Sequence, residues 1–207
     1  MRRNDSLRDL GFIATMIVMI IIFCNILFSS PKVIHAYVTL ADDKQGIISY
    51  NHELEDGDDL YHNQYWGALY GVKQFMQKSE HWSLIAMSRS SDQWIERLIF
   101  KHMKEDVYLI ADAYSGRHKP LKATDGVFRA LSGRNKDSLH LDPDVDLGLG
   151  SNADLIVYIG HHFFGALDII DNHNSIDDIE RDVILLACVT NEMCDSIDKA
   201  NANPLLL

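Results

Sequence analysis

Two short apolar runs near the C-terminus constrain this chain more than any other feature. Asp154-Leu155-Ile156-Val157-Tyr158-Ile159-Gly160 opens onto His161 and His162, and Asp182-Val183-Ile184-Leu185-Leu186-Ala187 opens onto Cys188. Uninterrupted runs rich in β-branched residues are the pattern of strands covered on both faces, as in parallel sheets. Set side by side and parallel, they deliver an imidazole and a thiol to the carboxyl edge, where open α/β sheets place their sites. A thiol beside an imidazole base becomes a nucleophile at neutral pH.

The rest of the chain alternates in the same manner. Tyr37 to Ala41, Ser83 to Met87 and Val107 to Ala111 are expected strands. Tyr65, Ala68, Leu69, Val72, Phe75 and Met76 recur at helical spacing, which predicts an amphipathic helix over 64–78. Ser91 or Asp92 would cap a second helix carrying Trp94, Ile95, Leu98 and Ile99. A third helix is expected over 121–131, then a long polar loop through Asn152. A short helix around 176–180 would join the two opening strands, a last one would span 192–200, and Leu205-Leu206-Leu207 would begin a sixth strand. Strands alternating with helices predict an α/β fold with a mostly parallel sheet and helices on both faces.

The first 36 residues have the character of a targeting segment. Arg2, Arg3 and Arg8 precede an apolar stretch, with a membrane span expected over 11–29, and Pro31 closes it. Three arginines ahead of the stretch against Lys32 just after it orient the N-terminus inward. The expected organisation is therefore a signal peptide or signal anchor over 1–36 and one exported domain over 37–207, facing the periplasm or secreted. Ile34-His35-Ala36 is the candidate cleavage site, and Cys24 is a small apolar residue within the span.

The net charge is −11, and the first 36 residues hold four basic and two acidic side chains, so the remainder is more acidic still. Such a surface repels nucleic acid. Outside the span the cysteines are Cys188 and Cys194, which an oxidising compartment could pair.

Strand, Gly-His, helical connection, strand and Ala-Cys is an order that resembles caspase-like and gingipain-like cysteine peptidases. The residues that carry the resemblance are Tyr158-Ile159-Gly160-His161 and Leu186-Ala187-Cys188. It implies a caspase-like three-layer sandwich, His161 as general base, Cys188 as nucleophile and a polypeptide substrate. Where that family places a small residue after its histidine, this chain has His162 and Phe163. The chain also resembles an uncharacterised group of bacterial proteins with the segment Tyr65-Trp66-Gly67-Ala68-Leu69-Tyr70-Gly71-Val72-Lys73, which implies no activity.

Other readings compete. A non-catalytic exported binding domain would use the acidic loop over 51–63 with Tyr61, Tyr65 and Trp66 to meet a protein partner. A receiver-like site would need Asp42, Asp43 and Asp112 to converge at one sheet edge. Asp142, Asp144, Asp146 and Gly148 imitate a calcium loop, but Ala153 stands where a bidentate glutamate is required. His161, His162 and His173 could ligate zinc only if adjacent histidines on a strand end did not diverge. No cofactor or metal is expected.

Overall fold

Lys32–Thr39 forms strand β1 in the middle of a seven-stranded sheet, with both of its faces covered. The computed structural model describes residues 30–43, 52–89, 91–119, 121–141, 145–161, 173–187 and 194–205, and the elements below all belong to one unit, Pro31–Leu207. In chain order they are helix α1 (Val72–Lys78), β2 (Trp82–Arg89), β3 (Glu96–His102), β4 (Val107–Tyr114), α2 (Lys122–Leu131), β5 (Lys136–Leu141), β6 (Val145–Gly150), β7 (Leu155–Ile159), β8 (Arg181–Leu186), α3 (Cys194–Lys199) and β9 (Ala202–Pro204).

The sheet order is β2-β3-β4-β1-β7-β8-β9. β4, β1, β7, β8 and β9 run parallel, whereas β3 pairs antiparallel with β4 and β2 antiparallel with β3. Alternation along β1 divides the core. Tyr37 packs with Ile156, Tyr158 and Val183 beneath α2 and α3, and Val33 packs beneath the β5–β6 hairpin with Leu147 and Leu149. Ala36 and Val38 turn the other way, with Leu98, Phe100 and Ala111, onto Trp66.

This architecture corrects the expected one. The sheet is mixed, with antiparallel β2 and β3 at one side of the five parallel strands, and helices do not cover both faces, so the three-layer caspase-like sandwich is not formed. α2 and α3 lie on one side; the other is covered by the irregular chain around Leu60, Tyr65 and Trp66, and α1 buries none of its residues. Among the described residues no helix is long and apolar enough to cross a membrane, and the expected span over 11–29 lies outside them.

Each local difference has a physical cause. The stretch expected as a helix at 94–99 is β3: Leu98 and Phe100 face one cluster and Ile99 the other, so burial on both sides hides the strand period. Ser91 does accept from the N–H groups of Gln93 and Trp94, as a cap would, but the chain then extends. The helix expected over 64–78 shrinks to α1 because a Cβ at Gly67 would lie 2.4 Å from the Tyr61 carbonyl and one at Gly71 2.4 Å from the Trp66 oxygen. These close crossings replace helical turns. The expected polar loop contains the β5–β6 hairpin, the 176–180 segment is not helical, and β1 starts at Lys32 rather than Tyr37. A cut after Ala36 would therefore divide the central strand.

α2 ends in a Schellman turn, with Arg134 N–H bonded to the Arg129 carbonyl, Gly133 N–H to that of Ala130, and Gly133 at φ +83°.

Candidate active site at the carboxyl edge of the sheet

β7 and β8 are adjacent and parallel, in a register that runs from Leu155 opposite Asp182 to Ile159 opposite Leu186. Gly160 N–H extends the pairing by donating to the Leu186 carbonyl at 3.2 Å. His161 therefore leaves the sheet at the edge where β8 also ends. The thiol half of the pair, Cys188, lies outside the described residues, as does His162; the β8 exit is described as far as Ala187.

His161 is half-buried, and Tyr65 meets it edge-on, its hydroxyl 3.3 Å from Nδ1 and the ring centroids 5.3 Å apart. The Tyr158 hydroxyl donates to the His161 carbonyl oxygen at 3.2 Å and lies 3.4 Å from Thr39 Oγ1. Gly160 is required here by space, since a Cβ would sit 2.6 Å from the Tyr158 hydroxyl and 3.1 Å from Thr39 Cβ. The histidine is thus held through its backbone by β7 and through its ring by a residue far away in sequence.

Tyr65 owes its place to its neighbours. Trp66, fully buried, donates from Nε1 to Glu96 Oε2 at 2.7 Å. Glu96, also fully buried, accepts from Lys73 at 2.8 Å and from Arg89 at 3.3 Å. Asn63 ties the start of this segment to the end of β1, its amide donating to the Ala41 carbonyl at 2.8 Å and its oxygen accepting from Ala41 N–H at 3.2 Å. The segment from Tyr65 to Lys73 is thereby clamped to the sheet, and its first residue reaches His161. Sequence reasoning took Tyr65 and Trp66 for packing or partner contacts. The available signal was Tyr65 standing next to a tryptophan in an irregular, glycine-rich stretch.

The acidic groups near the same edge gather around Arg117. Asp42, at the end of β1, is buried and accepts from Gly57 N–H and Arg117 Nε, each at 3.1 Å. Arg117 also meets Asp56 at 2.9 Å, while His118 lies 3.2 Å from Asp58. Asp112 does not join them, which corrects the receiver-like expectation. It sits inside β4, bound by Arg97 and His35. Among the described residues no group of three or more His, Cys, Asp or Glu side chains is arranged to hold a metal ion. His173 pairs with Asp125 at 3.1 Å, and Asp146 with His140 at 2.8 Å.

No protein-family model, curated protein or solved structure matches the chain.

Proposed function

We propose that the chain is an exported cysteine-dependent hydrolase of polypeptides, with Cys188 as nucleophile and His161 as base. The observation that supports this best is the junction of β7, β8 and Tyr65: two adjacent parallel strands release their chains at one edge, two residues before His161 and two before Cys188. The order of residues that resembles caspase-like and gingipain-like peptidases supports the same roles, and the arginines ahead of the apolar stretch support export.

With the Nδ1 proton donated to the Tyr65 hydroxyl, the basic lone pair is on Nε2. Tyr65 then plays the orienting part that a third group plays for an imidazole base. Transfer of the thiol proton to Nε2 creates the thiolate, which attacks the peptide carbonyl carbon. The imidazolium returns its proton to the departing amine, and water hydrolyses the thioester.

Iodoacetamide labelling tests this directly. An ordinary thiol, with a pKa of ~8.5, reacts slowly at pH 6, whereas one paired with imidazole reacts fast. Cys188 should label rapidly at pH 6, His161→Ala should slow it sharply, and Cys194 should remain slow in both proteins. Labelling of Cys188 no faster than Cys194 would sink the dyad.

A non-catalytic protein-binding domain is the second reading, favoured by the outward-facing Leu69 and Tyr70 within the site segment and Phe75 just after it, Tyr70 being 85% exposed. Fully buried Trp66 cannot take part in it. Binding of a defined partner that survives Cys188→Ala but is lost with Tyr70→Ala would favour this reading.

A further inference from the structure

A cavity of about 290 Å³ lies between α2 and the sheet, lined by Tyr37, Gln93, Tyr114, Lys122, Asp125, Gly126, Arg129 and Asn135. None of the groups assigned to the dyad lines it. Its wall on α2 is one stripe, with Lys122, Gly126 and Arg129 spaced by turns of the helix.

Gly126 is what lets the cavity exist with Tyr37 as its floor. A Cβ at this position would lie 2.9 Å from Tyr37 Cε1. A mid-helix glycine costs roughly 1 kcal/mol against alanine, so the close approach offsets a local penalty.

The Tyr37 hydroxyl is fully buried and makes no well-formed hydrogen bond; the Asn135 amide on the same cavity wall is close enough to lower the phenol pKa against the larger effect of burial. Burying such a group unpaired is unfavourable, and natural structures seldom do so without a use. Tyr114 stacks on Tyr37 with centroids 6.0 Å apart and brings a second phenol. Burial is the main reason both phenols titrate well above their ordinary value, so both remain neutral donors.

The charged groups complete the pattern. Among the described residues the Arg129 guanidinium has no ion-pair partner. Lys122 donates to the Asp92 carbonyl at 2.7 Å, which pins the chain before β3 against the cavity mouth and leaves the ammonium charge there. The acid of the lining, Asp125, is already held by His173. The lining therefore offers two phenol donors, two amides and two cations against one carboxylate.

We propose that this cavity binds a small organic oxyanion, a carboxylate or phosphate ester, with the anionic group on Arg129 and Lys122 and the polar body over Tyr37 and Tyr114. Guanidinium suits such groups because its fork donates two parallel hydrogen bonds. The volume lies at the lower end of ligand pockets and fits a metabolite rather than a chain segment.

The test is calorimetric titration of the full chain with inorganic phosphate and, separately, with succinate, on wild type, Arg129→Gln and Tyr37→Phe. Saturable binding of one probe, weakened about tenfold by each substitution, is the expected result. The preferred probe separates phosphoryl from carboxylate ligands. Tyr37→Phe should leave the unliganded melting temperature unchanged or higher, because it removes an unpaired buried hydroxyl. Absence of saturable binding for both probes, or binding indifferent to Arg129→Gln, would overturn the proposal. So would a Tyr37→Phe protein that melts lower yet binds equally well.

Discussion

His35 and Asp112 meet inside the sheet, His35 Nε2 lying 3.1 Å from Asp112 Oδ2. Gly150 N–H donates to His35 Nδ1 at 3.0 Å, so the ring is neutral with its proton on Nε2, directed at the carboxylate. Arg97 grips the same carboxylate through Nε and Nη2, each at 2.6 Å. One acid thereby joins β3, β4, β1 and the end of the β5–β6 hairpin.

Burial would raise the Asp112 carboxyl, but hydrogen bonds from Arg97 and then His35 outweigh it and hold it below the usual range. A carboxyl depressed in the folded state contributes stability that is complete above its unfolded value of ~3.9 and is lost as pH falls through the folded value. Asp112→Asn should therefore cost about 3 kcal/mol at pH 7, because it leaves the largely buried Arg97 guanidinium without its counter-charge. The deficit should shrink at pH 3. Urea unfolding at both pH values measures it, and an unchanged deficit would contradict the assignment.

Arg181 is the second such junction. Buried at the start of β8, it donates to the carbonyls of Ser151, Leu131 and Ile179 and to both oxygens of Asp177 at 3.0 and 2.8 Å. Hydrogen bonds from Arg181 and then Lys136 hold the Asp177 carboxyl well below its ordinary range. Asp177→Asn should destabilise by about 3 kcal/mol, whereas Lys136→Ala, which removes a half-exposed partner, should cost under about 1 kcal/mol. Chemical denaturation ranks the two; equal losses would deny Arg181 its part.

Gly160→Ala tests how the site is shaped. The added Cβ must displace Tyr158 or Thr39, at a cost of about 1–3 kcal/mol. Because Tyr158 also holds the His161 backbone, labelling of Cys188 at pH 6 should slow in a variant that still folds. Unchanged labelling would show that the histidine is positioned without β7.

Glu96→Gln reaches the site from farther away. The buried carboxylate accepts from Trp66, Lys73 and Arg89 together, and a carboxamide presents one acceptor oxygen and two donors of its own. Tryptophan emission should shift to the red as the Trp66 segment loosens, and Tyr65→Phe should slow Cys188 labelling without that shift. An identical spectral change in both variants would separate Tyr65 from His161.

β7 and β8 were legible because each is a bounded apolar run, and both strands sit where those runs do. α2 was legible from its single apolar stripe. β3 and the β5–β6 hairpin were not. Leu98, Ile99 and Phe100 are apolar in succession because both faces are covered, and Leu139, Leu147 and Leu149 stand among charged and glycine residues that read as loop. At the site, His161 could be picked from its place after Gly160. Its contact with Tyr65 could not, because it depends on a segment folded against β3, three strands away, through Glu96.

The place of β1 also governs the order in which the molecule can assemble. β1, which precedes the other described strands, pairs on one side with residues 107–114 and on the other with residues 155–159. Until β7 has been made, β1 carries an open row of backbone donors and acceptors, and neither face of the core can close. Contacts so distant in sequence slow folding, since loop closure must precede any gain from pairing. The half-made chain is therefore a sheet without its middle, exposed to edge-to-edge association, and it should depend on chaperones for longer than a helical domain of equal size.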